Sequence, residues 1–148
     1  MLACRCAGGE SITVSVRGVE VAMKGDLRYS YSLVTKTPNG FGIVVLDDRA
    51  QNIVSISSAL ATLTIVMPTA TPSKVRDCGL RINIAAGITA PEVSLASGET
   101  GGFYTSDGDI PEIADGGTDG SVTLFYFTEI AENEFLVKSE SVKPISQQ

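Results

Sequence analysis

"CGLRINIAAG", residues 78–87, sets Leu80, Ile82 and Ile84 against Arg81 and Asn83. A period of two with branched aliphatics on one side is the pattern of a half-buried strand. On its C-terminal side "PEVSLAS" (91–97) repeats the pattern through Val93 and Leu95. On its N-terminal side lies "QNIVSISSALATLTIVMP" (51–68), two short apolar runs around Ser57-Ser58. There Leu63, Ile65 and Met67 share one side of the chain, and Pro68 ends any ladder because it has no N–H to donate. A helix over 57–63 has to survive the β-branched residues that come after it, which disfavours it.

Further out, "SVTLFYFTEI" and "EFLVKSESVKPI" flank "AENE" (131–134), the pattern of a hairpin with a four-residue connection. Near the other end, "SITVSVRGVEVAMKG" (11–25) alternates in two registers offset by one residue at Gly18, which predicts a β-bulge or a tight turn. "LRYSYSLVTKT" (27–37) is a third strand-like segment, and "TPNGFG" supplies a turn through Asn39-Gly40. The opening quarter therefore reads as antiparallel.

Eight to ten short strands and no amphipathic helix predict an all-β protein. Without helical crossovers for parallel strands, the expected architecture is an antiparallel β-sandwich, jelly-roll or immunoglobulin-like, with an N-terminal hairpin region or arm. At 148 residues the chain is one domain. A division near residues 50–60 would separate a 1–55 arm from a 56–148 sandwich.

Composition narrows the function. Hydrophobic residues make up 43% and charged residues 19%, the balance of a folded globular chain. The sequence contains no His, so no Ser-His or Cys-His nucleophile pair can form. "GETGG" (98–102) lacks the Lys-Ser/Thr that completes a phosphate-binding loop. No Trp and few other aromatics leave little to line a sugar-cleaving cleft. Enzyme activity is not expected, nor is any cofactor or small-molecule ligand.

Cys4, Cys6 and Cys78 are too few for a zinc site and cannot all pair, which points to synthesis in a reducing compartment. "MLAC" has neither the charged region nor the apolar stretch of a lipoprotein signal, and "ALATLTIVMP" is far too short to span a membrane.

The net charge of −6 is unevenly placed. Residues 82–137 hold ten Asp and Glu without one Lys or Arg, while the remainder holds 11 basic and 7 acidic residues. Such a division can draw identical copies together. No basic stripe with stacking aromatics is present, so nucleic acid is not an expected partner.

"TSDGDIPEIADGGTDGS" (105–121) raises the question of calcium. Asp107, Asp109, Asp115 and Asp119 offer the right oxygens, but Ile110 and Pro111 break the spacing of known calcium loops. The Asp-Gly and Gly-Gly steps are explained by turns, so a plain loop is the first reading. Arg76, Asp77 and Arg81, where a loop enters a strand, form the most distinctive polar set. An Arg-Asp salt bridge holding the strand entrance is the structural reading; contact with a neighbouring subunit is the functional one.

"ATPSKVRDCGLRINIAAGITAPEVSLAS" (70–97), a Gly/Asp-rich loop and "LFYFTEIAENEFLVKSESV" (124–142) together resemble β-rich structural proteins of bacteriophages and prophages. In that family an Arg-Asp before an aliphatic-Arg strand is followed by a Pro-x-Val/Ile-Ser segment and a closing hairpin. Cys78 departs from it, standing where a bulky apolar or aromatic residue is expected. The likeness covers about residues 60–145, and residues 1–50 bring no family to mind.

The resemblance implies a virion component such as a capsid decoration, neck, tail or fibre-attachment protein. Such a protein would be made in the bacterial host cytoplasm and act by assembly with copies of itself and other virion proteins. Contacts would come from open strand edges, terminal arms and the set Arg76, Asp77 and Arg81. The alternative is a carbohydrate- or receptor-binding β-sandwich module, calcium-stabilised in one version. Its tip would be the 98–120 loop, bearing Phe103, Tyr104, Asp107 and Asp109.

Overall fold

The computed structural model describes residues 31–146. The chain divides into two compact units, Met1–Ser32 and Leu33–Gln148. Apart from Tyr31 and Ser32, the described residues belong to the second unit. The bulge or turn expected within 11–25, the start of the segment expected from Leu27, and Cys4 and Cys6 lie outside the described residues.

Nine strands and no helix form among the described residues. They are β1 Ser32–Lys36, β2 Ile43–Val45, β3 Ala50–Ile56, β4 Thr62–Val66, β5 Asp77–Ile84, β6 Glu92–Ala96, β7 Gly102–Tyr104, β8 Ser121–Ala131 and β9 Glu134–Val142. Six of them build a sheet in the order β1-β3-β5-β8-β9-β7, and three build a second in the order β2-β4-β6. The segment 57–61, where a helix was conceivable, is a loop between β3 and β4.

The pairing departs from the antiparallel expectation. β5–β8 and β8–β9 are antiparallel, but β3–β5, β7–β9, β2–β4 and β4–β6 are parallel. A jelly roll or an immunoglobulin-like path has no place for so many parallel pairs. The reason lies in the crossovers. Parallel neighbours need a long connection, ordinarily a helix. Here β4 lies in the connection from β3 to β5, and β3 and β5 lie in those from β2 to β4 and from β4 to β6. Each crossover is a strand of the other sheet, so the chain winds between two layers without a helix. The Asn39-Gly40 turn forms, but it leads from one sheet to the other and closes no hairpin.

Alternation decides what is buried. Along β5, Cys78, Leu80, Ile82 and Ile84 face inward and Arg81 outward. Opposite them in register lie Phe127 with Cys78 and Phe125 with Leu80 on β8. β3 adds Val54 and Ile56, and the smaller sheet adds Val44, Leu63 and Ile65. Both sheets contribute to one buried cluster, with Val93, Leu95 and Phe103 packed half-buried against it. The β8–β9 hairpin forms with a shorter connection than expected, Glu132-Asn133, and a bulge between Glu129 and Ala131.

Candidate functional site

β8 continues its inward alternation past Thr123, Phe125 and Phe127 to Glu129, so the pattern carries a carboxylate into the core. An ionised carboxylate cannot stay there unpaired. Arg76, the last residue before β5, supplies the countercharge and is itself only 1% exposed.

The pair is bidentate. Arg76 Nε donates to Glu129 Oε1 at 3.1 Å and Nη2 to Oε2 at 2.8 Å, while the Arg76 backbone N–H donates to Oε1 at 2.9 Å. The remaining guanidinium donors reach the Pro68 carbonyl (2.8 Å), Glu99 Oε1 (3.3 Å) and Asn133 Oδ1 (2.7 Å). Asn133 N–H donates to Glu129 Oε2 at 2.8 Å, and the guanidinium carbon lies 4.8 Å from the centroid of the Phe135 ring. All five guanidinium N–H groups thus have acceptors.

Each charge holds the other ionised. The Arg76 hydrogen bonds outweigh burial and hold the Glu129 carboxyl down at about 2, and the same contact raises Arg76 above its ordinary value. This network ties together the end of β4, the entrance to β5, the β6–β7 loop and the closing hairpin.

The Arg-Asp pair expected at the strand entrance does not form. Asp77 points elsewhere: its N–H donates to Asp48 Oδ1 (2.9 Å), and its own carboxylate accepts from Thr128 Oγ1 (3.4 Å). Beside it Asn52, also buried, bridges Asp47 and Gly79 through Asp47 N–H, Asp47 O and Gly79 O. Arg81 stands apart on the outer face of β5, where its Nε donates to Asn83 Oδ1 at 2.7 Å. Of the three residues expected to meet a neighbouring subunit, Arg76 is out of reach, because burial and its internal acceptors occupy it completely. The exposed Arg81 is free of that restriction.

Glu129 was the residue missed in the sequence. Its signal was present: a charge at an inward position of an alternating strand demands a partner, and Arg76 is the one that reaches it.

Phe103 and Tyr104 separate across β7. Phe103 turns inward and stacks on Phe135 with centroids 5.6 Å apart, while Tyr104 is 48% exposed. They do not make a cluster of exposed rings.

The acidic loop is organised by its own hydrogen bonds. Asp107 Oδ1 accepts from Asp109 N–H at 3.0 Å, and the Thr105 hydroxyl accepts from Gly108 N–H at 2.9 Å. These contacts, first the backbone N–H of Asp109, lower the Asp107 carboxyl below its usual range. Asp115 Oδ1 accepts from Ala90 N–H at 2.7 Å. Among the described residues no three acidic or cysteine side chains converge as a metal site would require. The buried thiol of Cys78 is pushed up to about 12 by desolvation, so it carries no thiolate at neutral pH.

Beyond Glu99 the network opens onto a shallow depression of about 590 Å³, lined by Leu95, Ala96, Ser97, Glu99, Thr100 and Phe103 among others. It lies where β6, an edge of the small sheet, passes to β7, an edge of the large one. No helix among the described residues is long and apolar enough to cross a membrane. No protein-family model, curated protein or solved structure matches the chain.

Proposed function

We propose that this chain is a structural subunit of a bacteriophage or prophage virion, acting by assembly with copies of itself and with other virion proteins rather than by catalysis. It would be synthesised in the bacterial host cytoplasm and come to reside in the particle. We read its two sheets as the layers of a sandwich whose winding leaves strand edges open on both sides.

The observation that carries this reading is the pair of open sheets. β1 and β7 end one, β2 and β6 end the other, and Leu33, Phe41, Val45 and Tyr104 lie exposed on or beside them. Unprotected edges with exposed apolar side chains suit partners that add to them. The polar groups near the β5 entrance are satisfied internally, and the absence of His from the sequence removes the commonest base.

Light scattering over a range of concentrations tests the reading, with the neighbouring genes as an independent check. An oligomeric mass and adjacent portal, terminase or tail genes are expected. A strict monomer that also fails to join any virion protein would overturn it.

A second reading rests on the depression beside Glu99: a carbohydrate- or receptor-binding module using Glu99, Ser97, Thr100 and Phe103. Hydroxyl-rich ligands are commonly held by one ring and a few polar groups. Binding of a soluble glycan that is lost in Glu99→Ala would favour it over assembly.

A further inference from the structure

Phe41 is 85% exposed, yet it is held by a well-built turn. Asn39 Oδ1 accepts from Phe41 N–H at 2.9 Å and from Ile43 N–H at 3.0 Å, and Gly42 N–H donates to the Asn39 carbonyl at 2.9 Å. Gly42 has φ +75°, and an added Cβ would strike the Thr62 carbonyl oxygen, so the turn lies flat against β4. Thr64 N–H donates to Gly42 O at 2.8 Å and fastens it there. A chain that builds this much structure to display a phenyl ring in water is presenting it to something.

The opposite edge of the same sheet carries the depression between β6 and β7. Its volume of about 590 Å³ and its apolar floor of Leu95, Ala96 and Phe103 can receive an aromatic side chain. The charges agree. Both strands at the depression fall in 82–137, which has no Lys or Arg. The described chain before it, which bears Phe41, has Lys36, Arg49, Lys74, Arg76 and Arg81 against Asp47, Asp48 and Asp77.

Strand direction agrees as well. β2, β4 and β6 are all parallel, so β2 of one copy laid beside β6 of another continues the sheet in the same sense. A knob on one edge and a hole on the other, in one subunit, define a head-to-tail contact that closes a ring or grows a filament.

We propose that this protein self-associates head to tail, with the Phe41 turn of each copy seated in the β6–β7 depression of the next. The proposal rests on the assembly reading and adds the partner and the two surfaces.

Phe41→Asp removes the knob and leaves the depression intact. Thr100→Arg, at an exposed lining position, fills the depression and leaves the knob intact. Multi-angle light scattering of the wild type is expected to give a multiple of 15.5 kDa, and each variant alone a single chain with an unchanged β-sheet circular dichroism spectrum. Mixed in equal amounts the two variants retain one complete interface and are expected to form a dimer.

A wild-type oligomer that Phe41→Asp leaves at full mass, or a mixture that stays monomeric, overturns the head-to-tail contact while the assembly reading stands. A wild-type monomer at every concentration overturns the contact too. The assembly reading falls only if that monomer also fails to join other virion proteins.

Discussion

Glu129 occupies a place in β8 that the strand's alternation gives to the core, and Arg76 is what makes that placement tolerable. Removing one partner of a buried ion pair leaves the other charged and unpaired, at a cost of about 3–5 kcal/mol. Arg76→Met is therefore expected to lower the unfolding free energy by that amount in urea denaturation. Arg76→Met combined with Glu129→Leu is expected to recover most of it, because paired removal leaves no orphaned charge.

The pair also sets an acid limit. The folded-state Glu129 carboxyl sits at about 2, below its ordinary value of 4.5. Its contribution is complete above about pH 4.5 and is lost as pH falls from there towards 2, on the order of 3 kcal/mol in all. Stability measured against pH in wild type and Glu129→Gln is expected to differ by a slope confined to that window. Parallel curves would show that the carboxylate is not held by Arg76.

Among the elements, the turns and the hairpin do the organising. Asn133, with φ 60°, lets the two-residue connection of β8 and β9 close while its side chain accepts from Arg76. Gly42 does similar work at the entrance to β2. Gly42→Ala would meet both a left-handed backbone and the Thr62 carbonyl, and is expected to destabilise by about 1–3 kcal/mol. A thermal midpoint equal to that of the wild type would mean that the turn can leave β4 at no cost.

Strands β5, β8 and β9 were legible in the sequence because a sheet with one buried face writes its period of two into the chain. The parallel partners were not. Alternation says which side of a strand is buried and nothing about the direction of its neighbour. The inference from missing helices to antiparallel pairing failed because strands of the opposite sheet serve as the crossovers.

For the protein as an assembled unit, the acidic loop and the open edges make different demands. Asp107 and Asp115 already accept backbone N–H groups that a cation would have to displace or share. Thermal melts with a chelator and with added calcium are expected to coincide; a rise in midpoint with calcium would revive the calcium-stabilised module.

The open edges instead point outward to a second copy, and that surface could not have been found from residue order. Phe41 reads in the sequence as one more apolar residue beside a turn. Only the folded chain shows it standing in solvent across the sheet from an apolar hollow.

What the amino-acid order determined by itself was local: which runs are strands, which face of each is buried, where turns interrupt them, and which catalytic groups are missing. Tertiary structure alone decided that the strands alternate between two sheets, that Arg76 meets Glu129 rather than Asp77, and that Phe103 and Tyr104 part company. The physical reason is range. Alternation and turn chemistry act over a few neighbouring residues, whereas a buried charge selects its partner from everything the fold brings within about 3 Å.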